Sequence, residues 1–292
     1  MNEKLLDVDN YRRCREKCNG RDRSVCLLKK HFKALKSKEI IEKTLGYASE
    51  EIYQLALENS SSKKRKKSIH KVKKMLKKVN RSQYLYLKEK GNILLTAPHA
   101  AWAYRYAWGK NRRKLGDWIK SSDINTGILA CCLGNVLKVP VLIQIYTAFL
   151  DPNFYLEALF REGLREILRN GRIKFVLDIH GLSDDRNADF DIIDMFGLSL
   201  LPFNALKLRE TLKDRLEKLG LDIGVNRFFN GGLNLPFQHT IIKEVTQEFQ
   251  IPCIELEIGK KFRDVPDRII DERVFDTLKS WLEIDVRNLI NK

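Results

Sequence analysis

The stretch RIKFVLDIHGLSDDR, residues 172–186, decides the architecture. Phe175, Val176, Leu177 and Ile179 form an apolar run interrupted only by Asp178, and the run ends on His180 and Gly181 before charge takes over. A strand with one solvated face alternates apolar and polar residues, whereas a strand covered on both faces reads as a continuous apolar run. The stretch therefore predicts a doubly covered strand that delivers Asp178 and His180 to its carboxyl end, with Gly181 letting the chain turn away.

The same pattern recurs on either side. NILLTAPHA (92–100), PVLIQIYTAF (140–149) and IPCIELEIG (251–259) read as further strands, and amphipathic helices separate them: YLEALFREGLREILRNG (155–171), FNALKLRETLKDRLEKLG (203–220) and RVFDTLKSWLEIDVRNLI (273–290). The first two helical stretches end on Gly171 and Gly220, as helix stops should. Strands alternating with helices predict an α/β fold, a three-layer α/β/α sandwich around a mixed, mainly parallel sheet. No internal repeat is visible.

Charge divides the chain. Residues 1–90 hold 26 Lys and Arg against 11 Asp and Glu, whereas the remainder is nearly balanced, so the net +16 belongs to the N-terminal third. Residues 1–84 are expected to form a basic helical N-terminal region and residues 85–292 the α/β domain. Ile69, Val72, Leu76 and Val79 recur at helical intervals among lysines, and residues 63–78 carry ten Lys and Arg with no acid, a candidate surface for an anionic partner such as nucleic acid. The alternative is a solvated helix face, since few aromatics lie nearby to stack on bases. Cys14, Cys18, Cys26 and His31 make a weakly patterned metal-site candidate against the plainer reading of reduced cysteines. The sequence holds no apolar window of membrane-spanning length and opens without a secretory layout, so a cytoplasmic protein is expected.

In sheets of this kind, functional groups gather beyond the carboxyl ends of the strands. His99 ends the first strand, Asp178 and His180 end the third, Glu255 and Glu257 lie on one side of the last, and Asp123 in KSSDINTG precedes a helix. Two histidines and a carboxylate from separate elements suit a catalytic zinc site with an open position for water, and a further carboxylate would then act as base. Two acids on one face of a buried strand demand a cation, a hydrogen bond or an ion pair, for which Lys260, Lys261 and Arg263 are the plainer partners.

Six short motifs in order, APHA (97–100), SDINTG (122–127), DPN (151–153), LDIHG (177–181), FNGG (229–232) and LEIGKKFR (256–263), resemble those of the N-formylglutamate amidohydrolase-like family, distant relatives of the zinc carboxypeptidases. The resemblance covers roughly residues 91–265 and implies a phosphorylase/hydrolase-like sandwich with one zinc ion per chain. Carried over residue by residue, it implies His99, His180 and Asp123 as metal ligands and Glu257, with Glu255 the lesser choice, as catalytic base or acid. It implies Asp178 behind a ligand as an organiser. Asn153, Arg161 and Arg263 become candidates for gripping a substrate carboxylate, and Gly231, Gly232 and His239 for lining the pocket. Two departures stand out: Phe154 occupies the place shortly after Asp-x-Asn where the family has Arg, and Trp102 stands where the carboxypeptidases carry their glutamate ligand.

Together these readings predict a zinc-dependent amidohydrolase of a small N-acyl (N-formyl-like) amino acid or peptide. One rival is an interaction protein, with a basic N-terminal region that binds an acidic partner and a hydrolase-like domain without turnover. The other is a carboxypeptidase-like activity on larger peptides.

Overall fold

The computed structural model describes residues 84–291 except 102, 105–118, 121, 145–147, 149, 157, 235–237 and 266–269. The cysteine cluster with His31, the basic stretch 63–78 and Trp102 lie outside the described residues.

Nine strands are described: β1 (Tyr84–Leu87), β2 (Ile93–Ala97), β3 (Ala103–Tyr104), β4 (Ile119–Lys120), β5 (Val141–Gln144), β6 (Phe175–Leu182), β7 (Phe190–Ile193), β8 (Ile223–Val225) and β9 (Cys253–Gly259). Seven form one sheet in the order β1-β5-β2-β6-β9-β7-β8, and β3 pairs with β4. The pairs β5–β2, β2–β6, β6–β9 and β7–β8 are parallel, while β1–β5 and β9–β7 are antiparallel. The sheet is therefore mixed and mainly parallel. Its short members β1, β7 and β8 are the ones that apolar runs alone did not announce.

Among the described residues, five helices longer than one turn cover it: α1 (Thr126–Leu137), α2 (Leu159–Arg169), α3 (Leu206–Glu217), α4 (Ile241–Gln247) and α5 (Glu272–Ser280). The chain continues from α5 through a π-helical segment, Trp281–Val286, into a last turn, Arg287–Ile290. In α2 the buried Phe160, Leu164, Ile167 and Leu168 fall on one stripe, as do Leu208, Leu212 and Leu216 in α3. After α2 and α3 the chain passes Gly171 (φ 71°) and Gly220 (φ 77°), left-handed positions that suit glycine. The α5 start is capped by Asp271, which accepts hydrogen bonds from the backbone N–H of Arg273 and Val274.

Two apolar clusters complete the layers. On one face α1, α3 and α5 pack on Ile93, Leu95, Phe175, Leu177, Ile179, Ile254, Leu256 and Ile258. Trp281 seals this layer, edge-on to Phe175, with its indole N–H donated to the Leu208 carbonyl at 3.1 Å. On the other face α2 and α4 pack on Leu94, Leu142, Val176, Ile193 and Cys253. Each fully buried Leu, Ile or Phe stabilises the fold by about 1.5–3 kcal/mol. The second cluster stops partway along the strands, and that stop positions the site.

Candidate metal centre

Beyond Leu94, Val176 and Cys253, the residues on the α2/α4 face of the sheet turn polar while staying buried: Thr96, Asp178, His180, Glu255 and Glu257. The register aligns them across the sheet, with Thr96 beside Asp178, Asp178 beside Glu255, and His180 beside Glu257. Period-two alternation puts them all on one face. They sit at the carboxyl ends of β2, β6 and β9, where the loops after β2 and before α1 bring in His99 and Asp123.

His99, Asp123 and His180 converge. The two Nδ1 atoms lie 3.1 Å apart, and each is 3.5 Å from Asp123 Oδ2. Each remaining ring nitrogen faces a carboxylate: His99 Nε2 is 2.7 Å from Asp151 Oδ1, and His180 Nε2 is 3.0 Å from Asp178 Oδ2. An ionised carboxylate only accepts hydrogen bonds, so each Nε2 carries a hydrogen, and a neutral ring at either position turns its lone pair inward from Nδ1. Asp123 Oδ2 is buried with no hydrogen-bond partner. Three electron pairs thus face one another across a triangle of 3.1, 3.5 and 3.5 Å sides. Tetrahedral ligands at about 2.0–2.1 Å from zinc are separated by about 3.3 Å, so these three atoms fit such an ion and leave a fourth position open.

The supporting residues have visible local causes. Asp123 is held by its backbone N–H, which donates to the His99 carbonyl at 2.7 Å, and its own carbonyl accepts from Thr126 Oγ1 at 2.8 Å. Lys120 Nζ donates to the other carboxylate oxygen, Asp123 Oδ1. Thr96 Oγ1 donates to Asp178 Oδ1 at 2.5 Å, which leaves Oδ2 for His180. Sequence alone does not single out Asp151. Its Oδ1 accepts from the backbone N–H of Asn153 as well as facing His99, the two-residues-on turn that Asp before Pro favours. The Asp-Pro-Asn triplet was the available signal, but its link to His99, 52 residues away, is tertiary.

Electrostatics in the protein alone reflect this crowding. Burial works to raise the Asp123 carboxyl, yet the Lys120 ammonium and the two imidazoles hold it well below the usual range. Burial works to lower His180, yet the Asp178 charge, the adjoining Asp123 carboxylate and the hydrogen bond that His180 donates to Asp178 lift it well above the usual range. A proton on His180 relieves one of the three facing lone pairs, whereas a divalent cation satisfies all three. Burial pushes Glu255 up to about 8, with Asp178, Glu257 and Asp191 adding to the rise and His180 opposing it. Burial also raises Glu257, against the counter-pull of His180. One oxygen of each glutamate is buried without a hydrogen-bond partner. The plainer cations lie elsewhere: Lys260 pairs with Asp184 and Lys261 with Asp189. Asp178, His180 and Glu255 also offer ligand atoms within 4.8 Å of one another, but His180 Nε2 is already bonded to Asp178 there.

The candidates for substrate contact separate into two groups. Arg161, fully buried, pairs with Glu244 and donates through Nη1 to the carbonyls of Pro152 (3.1 Å) and His239 (2.6 Å). Asn153 Oδ1 accepts from the Ile241 backbone N–H at 2.9 Å. Both side chains therefore clamp the 151–154 turn to the α4 start, and the structure shows them gripping backbone. His239 joins that clamp through its main chain, donating to Phe154 O. Gly231 and Gly232 take φ of 65° and 77°, and a Cβ on Gly231 would meet Met195 at 2.6 Å, so this loop passes close over the α4 side of the sheet. Arg263 is nearer the centre: it donates to the carbonyls of Ile258, Ile124 and Leu182, and its guanidinium lies 2.4 Å from where a Cβ of Gly181 would be. Gly181 thus makes room for Arg263 while still inside β6: the chain does not turn away there, since Gly181 and Leu182 go on pairing with Ile258 and Gly259 of β9.

No protein-family profile and no curated protein matches the sequence. Solved structures similar to the chain include the N-formylglutamate amidohydrolase from Ralstonia eutropha JMP134 at 15% identity, over 72% of this chain and 98% of that one, with a TM-score of 0.43. A bacteriophage poly-gamma-glutamate hydrolase is similar at 12% identity over 74% and 96% of the two chains, TM-score 0.44. A metallo-carboxypeptidase from Pseudomonas aeruginosa is similar at 13% identity over 70% and 61%, TM-score 0.45.

Proposed function

We propose that the chain is a zinc-dependent amidohydrolase, holding one zinc ion at His99 Nδ1, His180 Nδ1 and Asp123 Oδ2 and cleaving the amide bond of an N-acyl amino acid or small peptide. The observation that carries this reading is the convergence of three inward lone pairs, two on rings whose other nitrogens are anchored by Asp151 and Asp178. When bound, zinc supplies Lewis acidity to a carbonyl oxygen and makes water more acidic.

The chain's own residues do the rest. Glu257, register partner of His180 on the same face, takes the proton that water loses as it attacks the carbonyl carbon. It then gives that proton to the amide nitrogen as the carbon–nitrogen bond breaks, so a carboxylic acid and an amine leave. A carboxyl raised by burial suits both halves of this exchange. Asp151 and Asp178 fix the imidazole tautomers, and Glu255 lies beside Asp178 on the same face of the sheet.

Zinc-reconstituted protein should hydrolyse N-formyl and N-acetyl amino acids or short peptides, with activity rising to a plateau at one equivalent, and His99→Ala and His180→Ala should abolish both binding and turnover. Purified protein with less than about a tenth of an equivalent of metal, and full activity in both alanine variants, would sink the proposal.

A further inference from the structure

The two oxygens of Asp123 have different neighbours. Oδ2 faces both histidine Nδ1 atoms and has no hydrogen-bond partner, whereas Oδ1 accepts from Lys120 Nζ. Lys120 belongs to β4, whose ladder pairs it with Ala103, and Ala103 also bridges to Ala148. One small ladder thus ties together the chain segments next to His99, Asp123 and Asp151. The Asp123 side chain is 5% exposed and that of Lys120 23%, so a partly exposed ammonium engages one oxygen of a buried carboxylate.

Resting on the metal centre proposed above, we propose that Lys120 is a positioning residue that reserves Asp123 Oδ1 and thereby commits the carboxylate to the ion through Oδ2 alone. A carboxylate can ligate through one oxygen or both, and the choice sets how many positions remain for water and substrate. With Oδ1 engaged by an ammonium, Asp123 counts as one ligand, and the site keeps its open fourth position. Lysine suits this place because it donates hydrogen bonds and neutralises charge yet cannot itself ligate while protonated.

The test compares wild type, Lys120→Met and Lys120→Arg, each stripped of metal and reloaded. Zinc affinity is read by competition with a chromophoric chelator, and coordination number by the visible absorption of the cobalt(II) form. Lys120→Met should bind zinc about tenfold more tightly, because a positive charge beside the ion is gone and a second carboxylate oxygen is free to ligate. Its cobalt band should weaken toward that of a five-coordinate ion as Oδ1 joins, and Lys120→Arg should restore both readouts. Wild-type affinity and an unchanged band in Lys120→Met would overturn the assignment. A five-coordinate band in wild type would overturn it whether or not the variant folds. Wild type that takes up neither zinc nor cobalt would instead overturn the metal centre itself.

Discussion

The two faces of β6 and β9 are built from the same two strands and do different work. Toward α1, α3 and α5, the residues Phe175, Leu177, Ile179, Ile254, Leu256 and Ile258 are apolar from end to end. Toward α2 and α4, Val176 and Cys253 give way to Asp178, His180, Glu255 and Glu257, equally buried but ionisable. Because side chains alternate, the two programmes interleave in the sequence, and LDIHG and IELEIG each hold both at once. One face can therefore carry stability along the whole strand, while the other gives up apolar contact near its carboxyl end in favour of a site. Residues one position apart should then fail in different ways.

Glu257→Gln should have the largest effect, lowering kcat about 10²- to 10⁴-fold while zinc content and thermal midpoint stay near wild type, as steady-state kinetics and metal analysis would show. Its neighbour Leu256→Ala should do the reverse. Denaturant unfolding should show a loss of about 2–5 kcal/mol, with zinc stoichiometry and kcat per folded molecule kept. If Leu256→Ala instead emptied the metal site in folded protein, the separation of the two faces would be wrong. Asp151→Asn lies farther from the chemistry and should weaken zinc binding about tenfold to a hundredfold in a chelator competition, by loosening His99.

The smallest effect concerns Glu255 and is read in chelator-treated protein. Its carboxyl is raised from 4.5 to about 8 in the folded state, so below pH 4.5 both folded and unfolded forms hold the proton and nothing is lost. As pH rises, the unfolded chain releases that proton first, the folded state is left with more bound, and stability falls until the folded group ionises near 8. Glu255→Gln should therefore raise the thermal midpoint by an increment that grows across this window. An increment that shrinks with rising pH would contradict the direction of the shift.

Much of the fold was legible because continuous apolar runs announce doubly covered strands, and Gly171 and Gly220 announce the helix ends. Strands β1, β7 and β8 were not legible, because three or four residues such as FDII or IGV carry no periodicity of their own and are defined by the strand each pairs with, β1 with β5, β7 with β9 and β8 with β7. At the site, His99, Asp123 and His180 stood out as polar residues at the ends of apolar elements. Asp151 and Lys120 did not, since one sits in a Pro turn and the other in a two-residue strand, and each is defined only by the partner it meets. Arg161, a candidate from the resemblance for gripping a substrate carboxylate, is engaged within the protein. An arginine on an amphipathic helix looks free to reach a substrate, but Glu244 on the neighbouring helix and two backbone carbonyls engage it.

The most direct measurement is metal analysis of the purified protein combined with anomalous diffraction at the zinc edge. The expected result is one ion bound by His99 Nδ1, His180 Nδ1 and Asp123 Oδ2 at about 2.0–2.1 Å. Metal located elsewhere, or equal metal uptake by wild type and the His99→Ala/His180→Ala double variant, would contradict a metal centre at the end of β6.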